Sequence, residues 1–251
     1  DMIVQGIDLL LFNAVDSDAS DAAVSAAKEA GIPVLALDVD AAGPRDMHIA
    51  SDNYKAGKLC GEYTAERLNG EGKIGIVTGT PITSIRLRKK GFLDAISEYE
   101  NIEVVSELNG ETNRTKSMQV AENMLQANRN LDAIFGVNDP TALGILAAAE
   151  SAGRDDELFI TGVDGSPDGV DAVQEGTAFM ATAAQNPAQI AEYGLEYGLR
   201  LLEGEEVEKG LEMTEAEAEN SDKIPESLIV DVKLITEENA ENFSWENWDG
   251  E

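Results

Sequence analysis

Apolar residues fall in short runs, each cut off by a polar or small residue and followed by a stretch with helical spacing. The run Ala133-Ile134-Phe135-Gly136-Val137 predicts a buried strand that stops at Asn138. A helix is expected at once, with Asp139 as its N-cap and Pro140 at the first helical position, where no amide hydrogen is required. Leu143, Leu146 and Ala149 carry it to Gly153, a plausible left-handed C-terminal residue.

The same alternation recurs along the chain. Strands are predicted over residues 7–12, 33–37, 47–50, 73–78, 102–108, 158–163, 178–184 and 228–235. Helices are predicted over residues 17–30, 53–68, 84–99, 114–127, 167–175 and 187–203. Strands that alternate with helices of this length make right-handed βαβ units, and hence parallel sheets covered on both faces. There are more strands than one small doubly wound sheet holds, so an α/β chain of two such domains is expected. The opening residues read as the end of a helix feeding the first strand, as if the chain begins inside a βα repeat.

Residues 203–227 break the pattern. With Glu215-Ala216-Glu217-Ala218-Glu219 at their centre, they predict a solvated acidic loop. The tail carries Trp245 and Trp248 beside Phe243, which are expected to pack onto the second domain.

Composition changes the picture in one respect. Over 251 residues, 49 Asp and Glu face 18 Lys and Arg, a formal net charge of -31. Such a surface repels nucleic-acid phosphates and anionic membranes and argues against both as partners. The acids are spread along the whole chain, as adaptation to high salt predicts; an acidic secreted protein is the other reading. No apolar run approaches the length that spans a bilayer, so no direct membrane insertion is expected.

Candidate chemistry is sparse. Cys60 is the one cysteine and sits among small residues, which predicts a packed thiol and excludes an internal disulfide or a thiolate metal cluster. Gly70-Glu71-Gly72-Lys73-Ile74-Gly75 matches a dinucleotide pattern but precedes a strand, whereas the mechanism needs it between a strand and its helix. Asp16-Ser17-Asp18 starts like a calcium loop but lacks the following ligand positions, so helix capping explains it better. His48 is the one histidine, which leaves a nucleophilic triad little to work with. No enzyme, cofactor or metal site is therefore expected.

Five polar side chains remain at strand ends or helix starts: Asp38, Arg88, Asn138, Asp164 and Gln185. Two acceptor carboxylates, a five-donor guanidinium and two amides suit neutral molecules rich in hydroxyls, because each hydroxyl both donates and accepts. Open α/β sheets bind ligands at the carboxyl ends of their strands.

At these residues the chain resembles the ribose-type periplasmic sugar-binding proteins of ABC importers. The matching segments are Asp16-Ser17-Asp18-Ala19, Gly31-Ile32-Pro33-Val34 with Asp38, and Ile49-Ala50-Ser51-Asp52-Asn53 with Gly57. Arg86-Leu87-Arg88-Lys89-Lys90-Gly91-Phe92, Asn138-Asp139 with Ala142-Leu143-Gly144, Gly162-Val163-Asp164-Gly165-Ser166-Pro167-Asp168-Gly169, and Gln185 follow in the family's order. The resemblance implies a type 1 periplasmic-binding-protein fold: two doubly wound, Rossmann-like lobes joined by a three-strand hinge and closing on a sugar. Carried over, the crossings lie near Ser51-Asp52, Gln185-Asn186 and Val230-Asp231. The first lobe would be residues 1–51 plus 186–231, lacking its first βα unit, and the second residues 52–185 plus 232–251. The ligand residues implied are Asp38, Arg88, Asn138, Asp164 and Gln185.

The implied function is capture of a sugar or polyol outside the cytoplasm (periplasmic or on a cell-surface lipoprotein) and its delivery to an ABC transporter permease. The effector domain of a lactose-repressor-type transcription regulator, which shares the fold, is the alternative. The chain departs from the family at Val39, where ribose binders place an arginine, and at Thr112 and Val163, where they stack aromatics. A different pentose, a hexose or a polyol is therefore expected in place of ribose.

Overall fold

The structure is a computed structural model that describes residues 1–244 and Trp248. The chain begins with β1 (Leu10–Phe12), α1 (Asp21–Glu29), β2 (Val34–Leu37), β3 (Met47–Ser51), α2 (Asn53–Arg67), β4 (Glu71–Thr78) and α3 (Thr83–Ile96). It continues with β5 (Asn101–Asn109), α4 (Arg114–Ala127), β6 (Ala133–Gly136), α5 (Asp139–Ala152), β7 (Phe159–Asp164) and α6 (Pro167–Gln174). After β8 (Phe179–Ala184) come α7 (Pro187–Leu202), β9 (Val207–Thr214), α8 (Glu215–Ala218), β10 (Ile224–Val230) and β11 (Lys233–Thr236).

Two compact units result. One comprises Asp1–Asp52, Ile82–Ser84 and Asn186–Asp231; the other comprises Asn53–Pro81, Ile85–Gln185 and Val232–Glu251. The first unit holds a five-stranded parallel sheet in the order β1-β2-β3-β10-β9. Successive side chains of a strand point to opposite faces, and both faces of this sheet are covered. On β2, Val34 and Ala36 pack with Val24 and Ala27 of α1. Leu35 between them joins Ile190 and Tyr197 of α7, together with Ile49 and Leu228.

The second unit holds a six-stranded sheet in the order β11-β8-β7-β6-β4-β5, parallel except for β11 against β8. Here too the strand alternation serves two layers. Ile134 of β6 enters a core with Met124 of α4 and Ile145 of α5. Phe135, its neighbour, stacks on Phe92 of α3 with centroids 4.2 Å apart and planes 3° from parallel. Both units are doubly wound α/β sheets, as the alternation of elements predicts.

Three expectations need correction. Asn138, not Asp139, caps α5: its Oδ1 accepts the Thr141 amide at 3.1 Å, and Asp139 lies within the helix. Residues 203–227 are not a loop, since they contain β9, α8 and the start of β10. Val207, Leu211 and Met213 pack on the core from one face of β9, while the acids between them lie exposed on an edge strand that can carry charge. Residues 228–235 are not one strand. β10 ends at Val230 in the first sheet, and β11 starts at Lys233 in the second.

In the tail, Phe243 and Trp248 pack on a cluster of Val170, Val173, Ala184, Ile235 and Ala240 in the second unit. Trp245 lies outside the described residues. Among the described residues, no helix is long and apolar enough to cross a membrane.

Candidate functional site

The strands β8, β7 and β6 are neighbours, and their carboxyl ends lead directly to Gln185, Asp164 and Asn138. Parallel pairing is what makes this row, because it brings three like ends to one edge of the sheet. Asp164 departs from ordinary strand geometry with φ of 135°. A non-glycine residue in that region carries backbone strain of about 1–3 kcal/mol, which surrounding structure must hold.

Arg88 joins the row from α3, which follows β4. It is 4% exposed. Its Nε donates to Asn53 Oδ1 at 2.8 Å, and its Nη1 donates to Val137 O at 3.1 Å and to Asp164 Oδ1 at 2.9 Å. The guanidinium is thus fixed at three points by groups from α2, β7 and the residue that follows β6. A glycine permits this placement, since a Cβ on Gly57 of α2 would lie 1.8 Å from the Arg88 carbonyl oxygen.

Gln185 Nε2 donates to the same Asp164 Oδ1 at 2.8 Å. Its Oε1 is buried and has no hydrogen-bond partner among the described residues. A buried acceptor without a donor is costly by about 1–3 kcal/mol, and hydroxyl donors answer that requirement. Asn138 is half-buried; its Oδ1 is committed to the helix cap, which leaves its amide nitrogen as the group able to donate outward.

Asp38 belongs to the first unit, where it directly follows β2. Its φ is 63°, a left-handed conformation that aspartate tolerates better than most residues. Its amide donates to Ile49 O at 2.8 Å, and its carboxylate Oδ2 lies 3.5 Å from Asn13 Nδ2. His48 reaches the Asp38 carbonyl with Nε2 at 3.3 Å. Burial lowers the His48 pKa, against the raising effect of the Asp40 charge. The histidine is a packing partner of the Asp38 turn.

The structure therefore gathers Arg88, Asp164 and Gln185 into one bonded cluster, sets Asn138 one residue beyond the Val137 carbonyl that Arg88 engages, and leaves Asp38 to the other unit. Arg88 stands in the second turn of its helix, not at a helix start.

Two residues were not found from the sequence. Asn53 holds Arg88, and its signal was present: it falls in the segment Ile49-Ala50-Ser51-Asp52-Asn53 quoted for the family. Asp139 reads locally as a helix cap but is wholly buried, with Oδ1 accepting from Thr182 Oγ1 and Oδ2 from the Ser166 amide, both at 2.6 Å. Burial, and then the Asp164 charge, push its pKa up to about 7.

Other chemistry is limited. Cys60 is fully buried, donates to Gly162 O at 3.0 Å, and has its thiol pKa pushed up by burial, so it is packed and unreactive. Among the described residues, no group of three His, Cys, Asp or Glu side chains could hold a metal ion. A guanidinium, a shared carboxylate and two amides, with one acceptor unmet, can bind and orient hydroxyls.

A family model described as a periplasmic binding protein domain matches residues 1–206. The ribose import binding protein RbsB of Salmonella typhimurium is 40% identical over 210 residues, which cover 83% of this chain and 70% of the relative. The ribose import binding protein of Bacillus subtilis is 34% identical over 83% of this chain and 68% of its own length. An ABC transporter solute-binding protein from Actinobacillus succinogenes with bound D-allose superposes with a TM-score of 0.84 at 27% identity, over 96% of this chain and 83% of that one.

Proposed function

This chain belongs to the periplasmic binding protein family, and on that premise we propose that it captures a sugar outside the cytoplasm and delivers it to an ABC transporter permease. The relatives above are import and transport components, which favours transport over the regulator reading. They are also binding proteins, and the chain is read as one that binds without catalysing a reaction.

Asp38, Arg88, Asn138, Asp164 and Gln185 are the residues proposed to hold the sugar. The observation that carries this reading is the Gln185–Asp164–Arg88 cluster: a carboxylate shared between an amide and a guanidinium, beside a buried Gln185 Oε1 with no donor among the described residues. A hydroxyl supplies that donor and can give or accept further bonds, whereas an anion would be repelled by Asp164. Capture by closure of two lobes is the mechanism that the resemblance implies, with the solute stabilising the closed state through its own contacts.

Relatives from several bacteria are ribose import binding proteins, and solved relatives carry D-allose or myo-inositol. D-ribose therefore enters a calorimetric panel beside D-allose, D-apiose, L-arabinose and myo-inositol, the alternatives that the departures at Val39, Thr112 and Val163 favour. Saturable binding of one member is expected, and silence across the panel overturns the proposal.

A further inference from the structure

Asp139 is a buried ionisable group that sugar binding by itself does not use. Its carboxylate is enclosed by backbone: a Cβ on Gly169 would stand 2.3 Å from Oδ2, and one on Gly162 would stand 2.9 Å from Oδ1. What it does is visible from its bonds. Oδ2 accepts the Ser166 amide at 2.6 Å. Oδ1 accepts the Thr182 hydroxyl at 2.6 Å, and Thr182 Oγ1 in turn accepts the Gly165 amide at 3.1 Å. The two amides that leave the strained Asp164 are therefore both tied, one directly and one through Thr182, to a single carboxylate on α5.

We propose that Asp139 is a positioning residue for the sugar site: with Thr182 it clamps the Asp164-Gly165-Ser166 turn and so fixes where the Asp164 carboxylate points. This rests on the sugar-site reading above. The clamp explains how Asp164 keeps a φ of 135° while its Oδ1 receives both Arg88 and Gln185. Its partners come from different elements, with Asp139 on α5 and Thr182 on β8, so the turn is referenced to the core of the unit and not to its own loop.

The test compares Asp139→Ala, Thr182→Val and Asp164→Ala in the full chain, with D-ribose and the other panel sugars as probes. Amide hydrogen exchange is followed without sugar. In Asp139→Ala the Ser166 amide should exchange at least about tenfold faster while the Ile160 amide, held within the sheet, keeps its protection. Sugar affinity should fall at least about tenfold in Asp139→Ala and in Thr182→Val, and Asp139→Asn, which retains one acceptor oxygen, should recover part of it. Exchange at Ser166 unchanged, or affinity unchanged in both clamp variants while Asp164→Ala loses it, overturns the proposal and leaves Asp139 a stability residue. Affinity unchanged in Asp164→Ala itself is instead the failure of the sugar-site reading, and the exchange result stands apart from it. Should Asp139→Ala not fold, Thr182→Val and Asp139→Asn carry the same comparison.

Discussion

Arg88 and Asp164 stand 76 residues apart in sequence and 2.9 Å apart in space, with 5% and 28% of their side chains exposed. The arginine is held on its other sides by Asn53 and Val137, so the pair is a fixed element of the proposed sugar site. Removing Arg88 leaves the Asp164 charge and the Asn53 and Val137 acceptors with one partner fewer each. Arg88→Ala is expected to destabilise the protein by about 3 kcal/mol, by analogy with broken buried pairs, and to weaken sugar binding at least about tenfold. Denaturant unfolding and calorimetric titration check the two effects separately.

Gln185 should behave differently. Gln185→Leu deletes a bond to Asp164 but also deletes a buried acceptor that has no partner among the described residues. These terms oppose each other, so the stability change is expected to stay within about 1 kcal/mol. Sugar affinity is nonetheless expected to fall about tenfold or more. A stability loss without an affinity loss would assign the glutamine to the fold alone.

The contact between α2 and α3 sets where Arg88 begins. A Cβ on Gly57 would meet the Arg88 carbonyl oxygen at 1.8 Å, and one on Gly91 would meet the Tyr54 carbonyl oxygen at 2.0 Å. Both obstacles are backbone, so the helices must separate. Gly57→Ala and Gly91→Ala are each expected to cost about 1–3 kcal/mol, with weaker sugar binding because α3 carries Arg88. Thermal melts and titrations of the two variants test this.

Asp139 links stability to pH with an unusual sign. Its folded pKa of about 7 lies above the ordinary value of 3.8. Between these values the folded state keeps a proton that the unfolded state has lost, so this group's contribution to stability falls as pH rises from about 4 to about 7. The charged and titratable groups near it are the Asp164 carboxylate, to which Arg88 is paired, and the Cys60 thiol. Wild type should lose more stability than Asp139→Asn between pH 5 and pH 8, as read from denaturant midpoints at each pH.

The net charge of -31 predicts a salt response. Self-repulsion among exposed carboxylates is screened within about 3 Å at 1 M salt, against about 10 Å at 0.1 M. The melting temperature is expected to rise from low to molar KCl. A flat or falling melting temperature would point to an acidic protein without salt adaptation.

Much of this molecule was legible in the residue order. Periodicity and turn chemistry are local, so they located the helices and most strands of both units, and they marked Asp38, Asn138, Asp164 and Gln185 as polar residues that follow apolar runs. Charge masked one strand. The apolar set Val207, Leu211 and Met213 sits at alternating positions of β9, but the acids around it outweighed that signal until pairing with β10 supplied the hydrogen bonds. The sequence also points to Asp139 as the cap of α5 where Asn138 caps it, because both residues are good caps and only the packed helix shows that Asp139 is buried.

The sequence by itself determined the alternation of strand and helix, the doubly wound class and the chemical character of the strand ends, since those depend on residues within a few positions of one another. Only the tertiary structure decided that Arg88 bridges α2, β7 and the Val137 carbonyl just past β6, that Gln185 Oε1 meets no donor among the described residues, and that Asp139 accepts the Ser166 amide beneath Asp164. Those relationships depend on which strands lie side by side, and strand order is set by long-range packing that no local pattern encodes.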